Sequence, residues 1–220
     1  MQNLHTYGAT DSLNNTRPLS PKALTVLKAA SKIFLTHGFS AATTDMIQSE
    51  ANVSKSTVYT YYKNKESLFI AVVETECALF ARRIRSIQFQ RLGLREGLMA
   101  IANAYLDIIL AESGLSLFRV VIAEAPRFPE LASRFYQAGP ATVDQIVSEK
   151  LQDTIASGDI ELIGVTPDAA ANLFMHLVRS EPQLYSLTHP DAIFSPKQRK
   201  IWVSAMVDKF INGWVRTNVS

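Results

Sequence analysis

Between Thr43 and Lys65 the chain carries hydroxyls, phenols and amines at close intervals. Thr43, Thr44, Ser54, Ser56 and Thr60 supply short hydroxyls, Tyr59 and Tyr61 supply phenols, and Lys55 and Lys65 supply ammonium groups. The chemistry of this set is hydrogen bonding to anionic oxygen and to base edges. Tyr59 and Tyr61 can bond phosphate oxygens at the walls of a groove. Lys55 can reach a phosphate or a guanine edge. Ser56 and Thr60 are small enough to let a helix lie deep in a major groove, with hydroxyls that donate or accept there. Thr43 puts a hydroxyl and the N–H groups of a helix start where a phosphate can sit. Charge points the same way. From Arg17 to Lys65 there are seven basic residues and two acids, Asp45 and Glu50, although the whole chain is only +2. A basic head on a mildly acidic body is the footprint of a DNA-reading head.

These side chains need two short helices and a tight turn to hold them. Ser20-Pro21 opens a first helix that runs to His37, with serine as N-cap and proline at the first position. Ala23, Leu27, Ala30 and Phe34 mark its buried face, and Gly38 ends it. Thr43 caps a second helix over Thr44 to about Ala51. Asn52 makes the turn, because asparagine tolerates positive φ. Ser54 caps a third helix, Lys55 to Tyr62, whose Val58 and Tyr62 face the first. The expected organisation is all-α: a flexible arm over residues 1–19, a three-helix helix-turn-helix domain over 20–66, and a helical bundle for effector binding and dimerisation over 67–220, about nine helices in all.

The stretch from His37-Gly38-Phe39 to Lys65-Glu66-Ser67-Leu68 resembles the DNA-binding domain of the TetR family. The matching pieces are Gly38-Phe39, Thr43-Thr44, Ile47, Ala51, Val53-Ser54-Lys55, Tyr59-Thr60-Tyr61-Tyr62 and Lys63-Asn64-Lys65-Glu66-Ser67-Leu68. The resemblance implies phosphate contacts from Thr43, Tyr59, Tyr61 and Lys65, and groove-facing roles for Thr44, Lys55, Ser56 and Thr60. Four positions depart from the family pattern. Asn52 and Ser56 stand where glycine is usual or common, Gln48 where alanine is common, and Tyr62 replaces phenylalanine. Ser56 adds a side chain at a point of close DNA approach, so the operator sequence does not carry over. Further on, Phe118 to Gly139 resembles the C-terminal domain of the AefR-like branch, which implies an effector-binding body without naming the effector.

The body opens with a long helix from Lys65 through about Ile87, the one continuous element joining it to the head. Helices follow over about Arg95–Glu112, Leu115–Ala123, Pro129–Ala138 and Pro140–Ala156, punctuated by Gly114, Pro126, Gly139 and Gly158. Ile160 to Val165 is strand-like but too isolated to build a sheet. Pro167–Arg179 is helical, a loop carrying Pro182 and Pro190 follows, and Ser195-Pro196 opens a last helix that reaches nearly to Thr217. Two apolar stripes stand out: Ala169, Leu173, Phe174 and Leu177 on one helix, and Val203, Met206, Val207, Phe210, Ile211 and Trp214 on the last. They are wide enough to need a second covering surface, which makes them candidates for an intersubunit four-helix bundle. The alternative is packing inside one subunit.

Polar or aromatic groups inside the apolar helices are ligand-contact candidates: Tyr105, Arg119, Glu124, Tyr136 and His176, with Asp107 and Arg179 beside them. Each has a plainer reading. His176 fits a core or interface histidine, and Arg119 and Glu124 fit a structural ion pair. Cys77 fits inert core.

The four histidines lack metal-ligand spacing, and there is no nucleophile elbow, glycine-rich phosphate loop or paired-cysteine motif. Neither an enzyme nor a metal or cofactor is expected. A single cysteine, no secretory signal and no membrane-length apolar run place the chain in the cytoplasm. The expected protein is a homodimeric regulator that binds a palindromic or near-palindromic double-stranded operator and leaves it when a small, largely apolar ligand binds. An activator of the same fold, or a helical interaction module without DNA binding, stays open.

Overall fold

The computed structural model describes residues 20–217, and the arm expected over residues 1–19 lies outside them. Ser20 caps α1 (Pro21–Ala41), its hydroxyl accepting from the Ala23 N–H. Gly38 breaks α1 at φ 76°, ψ 165°, a conformation open to glycine, and Phe39–Ala41 add one more turn beyond the expected end. Then come α2 (Thr44–Ala51), α3 (Lys55–Tyr61) and α4 (Lys65–Arg85), the last opened by a capping box between Asn64 and Ser67.

The body continues with the single turn α5 (Phe89–Leu92), then α6 (Leu94–Ile109) and α7 (Glu112–Glu124). Gly114 lies inside α7 rather than before it. A Cβ there would stand 2.2 Å from the Ile108 carbonyl oxygen, so the tight corner after α6 requires glycine. Next, α8 (Pro129–Tyr136) runs without a break through a π-helical turn, Gln137–Ala141, into α9 (Thr142–Ala156). Pro140 lies within the π turn instead of ending a helix. Counting this run as one, the described residues hold nine helices besides the single turn α5, against about nine expected.

Three expectations for the C-terminal part are corrected. α10 (Pro167–Thr188) does not stop at Arg179 but passes through Pro182. Proline has no N–H for the carbonyl four residues back, at Val178. The Trp202 indole N–H fills that role, donating to the Val178 oxygen at 2.9 Å. The last helix, α11 (Pro196–Trp214), ends three residues short because Val215–Thr217 is strand β2. It pairs antiparallel with β1 (Ile160–Leu162), Ile160 opposite Thr217, so the strand-like run does have a partner.

Two hydrophobic clusters fill the molecule. One combines α1–α3 with the first half of α4 and with Leu117, Val121 and Leu131 of α7 and α8. Its centre is aromatic: the Phe69 ring lies 4.8 Å from Phe34 and 5.1 Å from Phe39, and Phe128 meets Phe39 edge-on at 4.8 Å. The head therefore shares its core with the body, and α4 is not the sole joint. The other cluster packs the end of α4 with α6, α9, α10 and α11, around Phe174 and Phe210 at 5.1 Å. Among the described residues no helix is long and apolar enough to cross a membrane.

Candidate nucleic-acid interface and body cavity

The Thr43 hydroxyl accepts from the Met46 N–H at 3.1 Å, fixing the start of α2. Asn52 turns the chain at φ 50°, ψ 49°, its N–H bonded to the Gln48 and Ser49 carbonyls. The Ser54 hydroxyl accepts from the Thr57 N–H at 3.2 Å and opens α3. Burial of Val58 and Tyr62 then fixes the rotation of α3. That rotation turns Lys55, Ser56, Tyr59 and Thr60 to the outside, at the helical spacing of one face. Tyr59 is 47% exposed and Tyr61 37%.

The outward groups hold one another meanwhile. Thr44 Oγ1 and Tyr59 Oη are 3.4 Å apart, bridging α2 and α3. Thr60 Oγ1 donates to the Ser56 carbonyl at 2.8 Å. Lys55 Nζ lies 2.9 Å from Asp45 Oδ1, and that hydrogen bond and charge raise the lysine further above its ordinary value. Every one of these contacts is exposed, so an anionic partner can replace it at little cost. Lys65 is placed otherwise. Its ammonium donates to the Phe39 carbonyl at 2.9 Å and the Ala42 carbonyl at 3.0 Å, 4.5 Å above the Phe39 ring. Lys65, expected at a phosphate, here closes the end of α1 onto the start of α4.

In the body, α4, α6, α7, α8, the π turn, α9 and α10 line a partly open cavity of about 60 Å³. Its wall is largely apolar, with Phe80, Phe118 and Phe135 prominent, and Tyr105, Arg179 and Gln183 are the longer polar side chains that line it. A second joint to the head lies nearby. The Glu124 carboxylate, buried at the end of α7, accepts from the Ser40 hydroxyl and, at 3.1 Å, from the Ser40 N–H. Arg127 donates to the same hydroxyl at 3.3 Å.

Residues 26–72 match the sequence model of the tetR family of bacterial regulatory proteins, and residues 96–213 match the C-terminal domain of AefR-like transcriptional repressors. The chain belongs to the TetR family. An uncharacterized helix-turn-helix transcriptional regulator of Bacillus subtilis, YhgD, is 46% identical over 50 residues, 23% of this chain and 26% of that protein. The chain spans about half the length, or less, of the curated relatives it matches. The flavonoid-responsive regulator FrrA is 30% identical over 90% of this chain and 98% of its own, with a TM-score of 0.74. A TetR-family structure from Mesorhizobium loti shares the fold at a TM-score of 0.81 and 24% identity, covering 88% of this chain and 96% of that one.

Within this TetR-family body several expected contacts fall elsewhere. Tyr105 and Arg179 border the cavity, and Arg119, Glu124, Tyr136 and His176 do not. Arg119 donates to the Ser186 carbonyl at 3.2 Å while Glu124 holds Ser40, so the two form no ion pair. Tyr136 is 57% exposed on the outside of α8. Asp107 pairs with Arg83 at 2.5 Å and Arg199 at 2.7 Å. The apolar stripes also divide. Phe174, Val203, Val207 and Phe210 are fully buried within one subunit, so they are core rather than interface. Leu177, Met206, Ile211 and Trp214 are half-buried, and Ala169 and Leu173 are exposed. The outward apolar residues include two the sequence reading missed, Leu184 at 61% and Ile201 at 63%. It missed Phe80, Phe118, Phe135 and Gln183 as well, since an apolar residue at a helix junction looks the same whether it faces a cavity or a neighbour.

Proposed function

We propose that the protein is a homodimeric, sequence-specific DNA-binding transcriptional regulator of the cytoplasm, released from its operator by a small, largely apolar ligand. The observation that carries the reading is the outer face of α3, with Lys55, Ser56, Tyr59 and Thr60 exposed on a helix anchored by Val58 and Tyr62. Thr43, Thr44, Ser54 and Tyr61 flank that face and complete the proposed contact set. A twofold dimer presents two such faces and requires a palindromic or near-palindromic site. Its proposed interface is the outward side of α10 and α11: Ala169, Leu173, Leu177, Leu184, Ile201 and Ala205.

Ligand release is supported by the apolar cavity and by the two joints through which its walls touch the head, α4 and the Glu124–Ser40 contact. FrrA is described as flavonoid-responsive, and a compact ligand of mixed aromatic character suits walls rich in phenylalanine. Repression follows the description of the matching C-terminal domain. The test is a mobility-shift titration against operator fragments selected from genomic DNA. Lys55→Ala, Tyr59→Phe and Thr60→Ala are each expected to weaken binding, and unchanged affinity in all three sinks the assignment of α3. A reporter gene behind the recovered operator separates repression from activation.

A further inference from the structure

Among the described residues the arginines either pair with an acid or are exposed, with one exception. Arg83, Arg85, Arg95, Arg134, Arg199 and Arg216 each pair with a carboxylate. Among the described residues Arg82, Arg91, Arg119 and Arg127 form no ion pair, and all are exposed. Arg179 is half-buried and lines the body cavity, and no carboxylate lies within ion-pair distance. Its neighbours do not neutralise it. Nη2 lies 3.1 Å from His176 Nδ1, but burial and the guanidinium itself hold that histidine below its ordinary value, so the ring is neutral at pH 7. Tyr105, 6% exposed, is pushed up by burial and keeps its phenolic proton. The acid that bears on the site from α9 is Asp144, whose carboxylate accepts from the Asn172 amide at 2.7 Å.

Arg179 has hydrogen-bond partners in His176 and Tyr105 but no carboxylate paired with it, so its charge stays available to an anion. A guanidinium matches one anion shape well, the planar pair of oxygens of a carboxylate. Tyr105 and Gln183 also line the cavity and bring a hydroxyl and an amide, and most of the remaining wall is apolar. We propose that the cavity takes a carboxylic acid with an apolar body, its carboxylate paired with Arg179 and accepting from Tyr105 and Gln183. This deepens the proposed ligand reading and rests on it for the identity of the pocket.

At about 60 Å³ the cavity is small beside the roughly 300 Å³ or more typical of ligand pockets. Binding therefore widens it. The half-buried rings of Phe80, Phe118 and Phe135 and the π turn are the parts of the wall that must give way. π turns recur at functional sites, where a helix departs from its regular ladder.

The test is isothermal titration of the full chain, without DNA, at pH 7.5. Two matched pairs serve as probes: trans-cinnamate against cinnamyl alcohol, and octanoate against octanol. At least one acid is expected to bind about ten- to a hundredfold tighter than its alcohol. Arg179→Met should abolish that preference and leave the affinity for the alcohol in place. Tyr105→Phe, which removes one oxygen, should reduce acid affinity by roughly three- to tenfold and keeps the test decisive if Arg179→Met is unstable. Absence of saturable binding by both acids, equal affinity for acid and alcohol, or a preference that survives Arg179→Met overturns the proposal. An acid that binds through Arg179 but leaves operator affinity unchanged keeps the acid site and defeats ligand release. Release by the alcohols, with no advantage to the acids, does the reverse.

Discussion

On the head, Lys55, Ser56, Tyr59 and Thr60 stand outward from a short helix held by Val58 and Tyr62, while in the body Tyr105 and Arg179 border a cavity walled with phenylalanine. The outward groups make only exposed contacts, with one another and with Thr44, Asp45 and Ser54. The inward ones are packed. A head substitution can therefore remove a partner contact and leave the fold alone, whereas a body substitution changes packing and chemistry together. Function and stability are separable at one end of the molecule and entangled at the other.

The largest effect that would sharpen this contrast is in the body core. Phe210 is fully buried against Phe174 and Trp214. Phe210→Ala should lower stability by about 3–5 kcal/mol, read as a shift of the urea midpoint. For the same reason Phe210→Glu reports on folding and not on dimer contacts. The double variant Leu173→Glu/Ile201→Glu probes the interface, because both residues are exposed in the single subunit. Two carboxylates per subunit buried in a dimer cost several kcal/mol, so sedimentation equilibrium should give a folded monomer. A folded dimer would move the interface elsewhere.

On the head, Lys55→Ala and Tyr59→Phe should each leave thermal stability within about 0.5 kcal/mol of the parent while weakening operator binding by roughly tenfold. For Lys55→Ala the slope of log affinity against log salt should fall by about one if it meets phosphate. Loss of stability together with affinity would break the comparison. The smallest effect concerns Cys77, whose thiol burial, followed by Glu76 and Glu74, pushes up to about 12. The thiolate is then almost absent at pH 8. A disulfide reagent should leave the native protein unmodified over minutes and label it promptly in urea.

What was legible in the sequence is what is decided locally. Ser20, Thr43, Ser54 and Ser195 cap helices because a short hydroxyl reaches an N–H three residues on, a distance fixed by the chain itself. Asn52 turns the chain on the same terms. What escaped depends on distant partners. Nothing near Ile160 announces Thr217, and nothing near Pro182 announces Trp202. A stripe containing both Phe174 and Leu173 reads as apolar, but its two sides meet different neighbours and only the packed structure separates them. Lys65 looks like any basic residue of the head until the carbonyls of Phe39 and Ala42 claim it.

The bond from Trp202 to the Val178 oxygen has a mechanical consequence. It spans α10 and α11 at the one level where proline leaves α10 without its own rung, and Arg179 is the next residue. The helix is most easily bent there, and the indole clamps it to its neighbour at that level. A load applied at Arg179 would thus pass to α11 through the indole as well as along α10.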